Sequence, residues 1–352
     1  MKQKILFVKA AVLATVIIAA TLGSWEMYLR HQGRGISYDD GGSLWSDKRK
    51  QVYEPKDKAT VFIGSSRIKY DLDIPTWESI TGNHAIQLAN VGSSPLPVLN
   101  DLAADEQFKG RLVIDVTEFL FFQPAPYVNK TPVENLEYFK KETPAQKVGF
   151  ALNKALESEF LFLDKEEYSL NALLASTRIP NRPNVYEFPD FPEGFTPVSF
   201  DRQSYMTENF VKDTNLINQV TAVWAMFGEA AAKMPPITEA QINATVAAVK
   251  AACHKIQSRG GEVIFVRTPS SGPMLAMEKM AFPKERFWNK LLAATGCRGI
   301  HFEDYPQIAH FQCPEFSHLS VPQAKTFTEA FINILREKGW SFQTTQNTIA
   351  LN

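Results

Sequence analysis

Three patterns of apolar residues run along this 352-residue chain, and each predicts a different element. The first is a continuous run. Lys2, Lys4 and Lys9 precede an uncharged stretch from Ala10 to Trp25, which continues through Glu26 to Met27, Tyr28 and Leu29. A spanning helix needs roughly 20 apolar residues, so the run predicts an N-terminal transmembrane helix with Trp25 and Tyr28 at the interface. The lysines predict an inside N-terminus and an exported body. The rival is a cleaved signal peptide, for which Thr21-Leu22-Gly23 offers a mediocre small-x-small site, so an uncleaved anchor is expected. A buried soluble helix fits the basic flank least. No second apolar run is long enough to span.

The second pattern is a set of short apolar runs: Thr60–Gly64, Ile86–Ala89, Arg111–Val116, Glu262–Arg267 and Gly299–Phe302. Each reads as a strand, and continuous runs suit a parallel sheet covered on both faces. The third is helical. Thr238 and Gln241 predict a capping box, with Ile237 and Ile242 placed for a hydrophobic staple and Gly260-Gly261 as the stop. Ser320 and Gln323 predict a second box. Its helix carries Ala324, Phe327, Phe331, Ile334 and Leu335 on one face and ends at Gly339. Strand–helix alternation predicts an α/β fold, a three-layer α/β/α sandwich.

The alternation breaks between Gln123 and Pro236. Helical patterns cover Ala145–Glu159 and Leu216–Lys233, and between them Pro180–Phe200 holds five prolines and four phenylalanines without periodicity. This stretch reads as a largely helical insertion or cap, whose aromatic residues either line a cleft or pack the insertion onto the core. The expected organisation is 1–30 anchor, 31–58 polar and Gly-rich stalk, 59–122 first part of the α/β domain, 123–236 insertion, 237–340 second part and 341–352 tail.

Composition adds little. Hydrophobic residues are 45 % and charged residues 21 %, with a net charge of -1, so binding of a polyanion or polycation by bulk charge is not implied. Of three cysteines, Cys253 falls in a predicted helix. Cys297 and Cys313 flank a predicted strand and either pair in an oxidising compartment or remain thiols. No Cys/His spacing suggests zinc, and neither a metal nor a cofactor is expected.

Candidate chemistry gathers where strands end. Gly64-Ser65-Ser66-Arg67 closes the first strand, at the carboxyl edge where open α/β sheets bind ligands. A serine there is a candidate nucleophile once a base takes its proton. Glu315-Phe316-Ser317-His318 supplies a histidine with a carboxylate three residues earlier, a base with its orienting acid. His310 and His301 are weaker alternatives. Asn90-Val91-Gly92-Ser93-Ser94-Pro95 closes the second strand, where Gly92 lets the backbone approach a ligand and donate to an oxyanion; the plainer reading is a turn capped by Ser94. Asp115-Val116-Thr117-Glu118 closes the third. Asp115 in an apolar strand calls for a partner, Arg67 or Arg267, while Thr117 or Glu118 faces the cleft or belongs to a structural ion pair. Arg267 either clamps a substrate oxygen or neutralises Asp115 or Glu118.

These blocks, in this order, resemble the SGNH (GDSL-type) hydrolase superfamily over about residues 59–122 and 260–338, outside the insertion. The resemblance implies a flavodoxin-like α/β/α sandwich. The family's Gly-Asp-Ser block, with its nucleophilic Ser, is matched by Gly64-Ser65-Ser66, with Ser65 where Asp is usual. Its oxyanion glycine is matched by Gly92, and its Asp-x-x-His by Glu315-x-x-His318. Its third block carries an Asn that donates to the oxyanion; here Thr117-Glu118 stands in that place, a departure that bears on hydrolytic efficiency. The anchor and the altered third block look like a branch of anchored relatives that work with membrane-bound O-acyltransferases to acetylate cell-surface polysaccharides. The resemblance implies an extracytoplasmic (periplasmic) esterase or O-acyltransferase acting on O-acyl esters of glycans. The competing expectation is a catalytically silent SGNH-like module that binds a glycan or an envelope partner. A nucleotide-binding protein would need a Gly-rich phosphate loop, which the sequence lacks.

Overall fold

The computed structural model describes residues 2–175 and 191–342. They form two compact units, one from Met1–Asp39 with Thr143–Glu187 and one from Asp40–Glu142 with Phe188–Asn352.

In the first unit the N-terminal run is a helix, Lys2–His31, long and apolar enough to cross a membrane, with a mean hydropathy of 2.4 over an 18-residue stretch. The Ala145–Glu159 pattern forms the helix Pro144–Glu157, opened by a box in which the Gln146 amide oxygen accepts from the Thr143 N–H at 2.7 Å.

The second unit is an α/β domain. Its sheet contains β1 (Ala59–Ile63), β2 (His84–Gln87), β3 (Arg111–Asp115), β4 (Glu262–Arg267) and β5 (Arg298–His301), all parallel, in the order β2-β1-β3-β4-β5. This is the flavodoxin-like doubly wound order, whose switch point lies between β1 and β3. Both faces are covered, which is why the strands read as unbroken apolar runs. Ile63, Ile114 and Phe265 pack on one face against the helices Leu96–Ala104 and Glu239–Ser258. Phe62, Val113 and Val266 pack on the other against Ile74–Thr81 and Val321–Glu337. Phe327, Phe331, Ile332 and Leu335 of that last helix are all 0 % exposed, each contributing about 1.5–3 kcal/mol by leaving water.

Both expected helix starts form. Gln241 Oε1 accepts from the Thr238 N–H at 2.8 Å, and Gln323 Oε1 from the Ser320 N–H at 3.0 Å. Gly260 and Gly339, at φ +88° and +87°, follow the ends of these helices. Left-handed backbone of this kind strains any residue with a Cβ.

One expectation is corrected. Residues 40–58 are no stalk. Trp45 is 0 % exposed and its indole N–H donates to the Leu88 carbonyl at 3.1 Å, while Arg49 pairs with Asp101 and Asp105 at 2.8 and 2.9 Å. Asp40 is held by Lys69 and by Arg202 at 2.6 Å; burial pushes its carboxyl up, but the two cations outweigh that and keep it below its usual range. The segment's polarity hides buried ion pairs. Of the two readings for Cys297 and Cys313, the structure has unpaired thiols: all three cysteines are free, Cys297 lies in the core on one face of the sheet and Cys313 in the core on the other. The neighbour of Cys297 is Cys253, whose thiol hydrogen bond pulls Cys297 down to about 7.

The Leu216–Lys233 pattern forms the helix Thr214–Ala232. Of the Pro180–Phe200 stretch, residues 180–190 lie outside the described residues, as do 343–352 of the tail. Phe195 of that stretch joins Met206, Phe210 and Val220 in a small apolar cluster against Tyr70.

Candidate active site

The site is built where β1 ends. Gly64 has no room for a side chain: a Cβ there would stand 2.5 Å from the Asp115 Cβ and 2.8 Å from Ile68. The chain therefore passes close to β3 and turns into the short helix Ser66–Asp71. Ser65 is its N-cap, with Oγ accepting the Arg67 N–H at 3.3 Å. The same oxygen donates to Asp115 Oδ2 at 3.0 Å and lies 2.7 Å from Thr117 Oγ1. Ser65 is thus buried and occupied, whereas Ser66 is half-buried. Ser66 stands at the first helical position, where the backbone N–H has no carbonyl partner within the helix.

Ser66 Oγ lies 2.9 Å from His318 Nε2. His318 Nδ1 lies 3.0 Å from Glu315 Oε1, which also accepts the His318 backbone N–H at 2.6 Å. With Glu315 accepting at Nδ1, that nitrogen carries the proton and Nε2 faces Ser66 as an acceptor. His318 is 1 % and Glu315 0 % exposed. The loop is fixed by an unusual backbone: Phe316 has φ +76°, a conformation bulky residues rarely adopt. Its carbonyl accepts the Ser271 N–H at 2.9 Å, and its ring lies where a Cβ on Gly272 would stand.

The second oxygen of Glu315 is taken by the insertion. Trp224, on the helix Thr214–Ala232, donates its indole N–H to Glu315 Oε2 at 2.5 Å. Tyr70, Phe195 and Trp224 surround the imidazole with ring centroids 4.4, 5.9 and 6.0 Å away. The Tyr70 hydroxyl donates to the Phe195 carbonyl at 2.8 Å. Sequence reasoning missed Trp224 and Tyr70. The aromatic content of the insertion was a signal, but nothing in its spacing points to Glu315.

The charged candidates lie behind the serine. Arg267 Nε donates to both oxygens of Glu118 at 3.1 and 3.0 Å, and its Nη2 to Glu278 at 2.5 Å. Arg67 pairs with the same Glu278 and reaches Ser317 Oγ at 3.4 Å. Two guanidiniums therefore face two carboxylates, all nearly sealed from water. Burial alone would push Glu278 up, but Arg67 and Arg267 together bring it down to about 2. Glu118 stays above the usual range because burial outweighs Arg267. Of the alternatives for Arg267 and Glu118, the structure has the mutual ion pair, with neither side chain open to a substrate. Arg67, although next to Ser66, also points into this network.

Asp115 departs from expectation. Its bonds come from the Ser65 N–H, the Ser65 hydroxyl and Thr117 Oγ1, not from an arginine. Burial raises its carboxyl despite those bonds and the charges of Arg67 and Arg267. Thr117 is half-buried and braces the Ser65 turn. Gly92 is exposed at φ +61°, with open space where a Cβ would stand, so its backbone is approachable. In the same turn Ser94 Oγ accepts the Leu96 N–H at 3.3 Å. His301 packs between Trp288 and Phe302, and its pKa falls to about 3, chiefly through burial; His310 Nδ1 lies 3.2 Å from the Pro306 carbonyl. Among the described residues, no group of acids, histidines and cysteines is placed to hold a metal.

No family model matches the chain, and no curated protein is significantly similar to it.

Proposed function

We propose that this chain is a serine-dependent enzyme of SGNH type that cleaves or transfers O-acyl groups. The observation that carries the reading is the unbroken relay Ser66 Oγ–His318 Nε2–Glu315, at 2.9 and 3.0 Å. A serine and a buried histidine 252 positions apart meet in this way when a hydroxyl must be deprotonated. In this reading Ser66 Oγ attacks the acyl carbonyl as His318 Nε2 takes its proton. Glu315 holds the ring and balances the imidazolium. The backbone N–H groups of Ser66 and Gly92 receive the oxyanion. Collapse expels the alcohol, which takes the proton from Nε2 and leaves an acyl-serine. Water then gives an esterase; a sugar hydroxyl gives an acyltransferase. The substrate is an O-acylated carbohydrate or a similar ester. The apolar N-terminal helix anchors the body at a membrane, with the lysine-flanked end inside and the catalytic unit on the extracytoplasmic side, where a membrane-bound O-acyltransferase is the fitting partner.

A silent binding module is the second reading. It is favoured by Glu118, which is bound to Arg267 where an oxyanion amide would be expected. One experiment separates the two: fluorophosphonate labelling and turnover of a chromogenic acetyl ester, on the full chain and on Ser66→Ala. Labelling and turnover lost together in Ser66→Ala support the enzyme. A wild-type chain that neither labels nor turns over supports the silent module, and undiminished labelling of the variant places the nucleophile elsewhere.

A further inference from the structure

The first unit carries an apolar face that no described residue covers. On the helix Pro144–Glu157, Val148, Leu152 and Leu156 recur every fourth residue, and so form one stripe along the helix. They are 61 %, 63 % and 49 % exposed. Ala145 and Ala155 flank the stripe and are exposed too. By the pitch of the helix, the side opposite the stripe carries the exposed Lys147 and Lys154 together with Phe150 and Glu157, which are half-buried. Soluble surfaces scatter single apolar residues but seldom align them in this way.

The place of this helix decides its partner. Directly after it, the turn Leu161–Leu163 is fastened to the last turns of the apolar N-terminal helix. Glu26 accepts the N–H groups of Leu161 and Phe162 at 3.2 and 3.3 Å, and Arg30 donates to the Glu159 carbonyl at 2.7 Å. Trp25 stacks on Phe162 at 6.0 Å and meets Tyr168 edge-on at 5.4 Å, with Phe160 beside Phe162 at 5.5 Å. If the N-terminal helix spans, its uncharged run from Ala10 to Trp25 lies in the hydrocarbon. Trp25 and Glu26 then stand at the boundary, the level where aromatic rings collect. The attached helix begins its course at headgroup depth.

We infer that the helix Pro144–Glu157 lies in the membrane interface, with Val148, Leu152 and Leu156 dipped into the acyl boundary of the same bilayer that the N-terminal helix crosses. This rests on the anchor reading above. An amphipathic helix with its polar side in water and an apolar stripe in the headgroup–acyl boundary is the usual form of such a contact. Leu170 and Leu174 of the same unit are exposed as well. The unit then acts as a two-part foot, one helix across the bilayer and one along it, which limits tilt and swing in a way a single span does not.

The test uses the full chain in phosphatidylcholine nanodiscs, spin-labelled at one introduced cysteine at a time: Leu152→Cys, Lys147→Cys and Val16→Cys. The three native cysteines are buried and compete little for label. Collisions with oxygen, which concentrates in lipid, are compared with those of a water-soluble nickel chelate. The expected result is a label at 152 that, like the one at 16, meets oxygen several-fold more than the chelate, and the reverse at 147. A wet label at 152 with a lipid-buried one at 16 overturns the interfacial helix and leaves the anchor standing. A label at 152 shielded from both reagents also overturns it, since protein would then cover the stripe. A wet label at 16 refutes the anchor reading itself.

Discussion

Replacing Glu315 by glutamine tests the proposed relay at its most constrained point. The carboxylate has donors on both oxygens: the His318 N–H and Nδ1–H on Oε1 at 2.6 and 3.0 Å, and the Trp224 indole N–H on Oε2 at 2.5 Å. An amide can satisfy only one side. With its oxygen toward His318, its NH2 faces the Trp224 N–H, donor against donor. Turned around, its NH2 meets the His318 N–H and donates to Nδ1, which puts the ring proton on Nε2, where it cannot accept from Ser66. Either arrangement leaves a buried donor unmatched, at about 1–3 kcal/mol. Loss of the orienting charge in a serine–histidine relay costs roughly 10⁴-fold in turnover, about 5.5 kcal/mol. Glu315→Gln should therefore lower both the melting temperature and the turnover of a chromogenic acetyl ester. Adding Trp224→Phe removes one of the clashing donors. It should destabilise the wild-type chain by about 1.5–3 kcal/mol, the worth of a hydrogen bond to a charged group. In the Glu315→Gln chain it should cost far less and leave turnover low. Turnover within about tenfold of wild type in Glu315→Gln, or equal effects of Trp224→Phe in both backgrounds, would refute the reasoning.

Three further outcomes are expected. Glu118→Asn restores the residue type of the resembled family, but it strips Arg267 of a buried partner, so it should cost up to about 3–5 kcal/mol in thermal unfolding without raising ester turnover; faster turnover would show that Glu118 had been repelling the oxyanion. Burial holds the Asp71 carboxyl well above its ordinary value of 3.8. Between those two values the folded chain keeps a proton that the unfolded chain releases, so this residue's contribution to stability falls as pH rises through the window. Asp71→Asn, which keeps the oxygen that accepts the Leu319 N–H at 2.9 Å, should gain stability relative to wild type as pH rises from about 4; parallel melting curves against pH would show ordinary ionisation. Gly64→Ala forces a methyl group against Asp115. It should cost about 1–3 kcal/mol in thermal unfolding and slow fluorophosphonate labelling of Ser66, and unchanged labelling would show that the turn tolerates the shift.

The α/β layers were legible in the residues alone. Strands buried on both faces must be apolar throughout, and each of the five runs lies within two residues of its strand. Capping boxes are local hydrogen-bond patterns, so Thr238 with Gln241 and Ser320 with Gln323 could be read in the same way. So could Ser66, Glu315 and His318, because strand-end turns and an i, i+3 acid–histidine pair are written in adjacent residues. What the sequence left open was partnership across distance. It offered Arg67 or Arg267 to Asp115, and the fold gave both arginines to Glu278 and one of them to Glu118. A polar stretch around Trp45 looked like a tether, and tertiary packing buried it. Cys297 and Cys313 flank one strand along the chain, which left their pairing open, and the sheet set them in opposite cores. Trp224 reaches Glu315 across 91 positions, and no local pattern encodes such a contact. Periodicity records which side of an element is buried. Which buried charge meets which depends on how the layers stack, and that is settled in the folded chain alone.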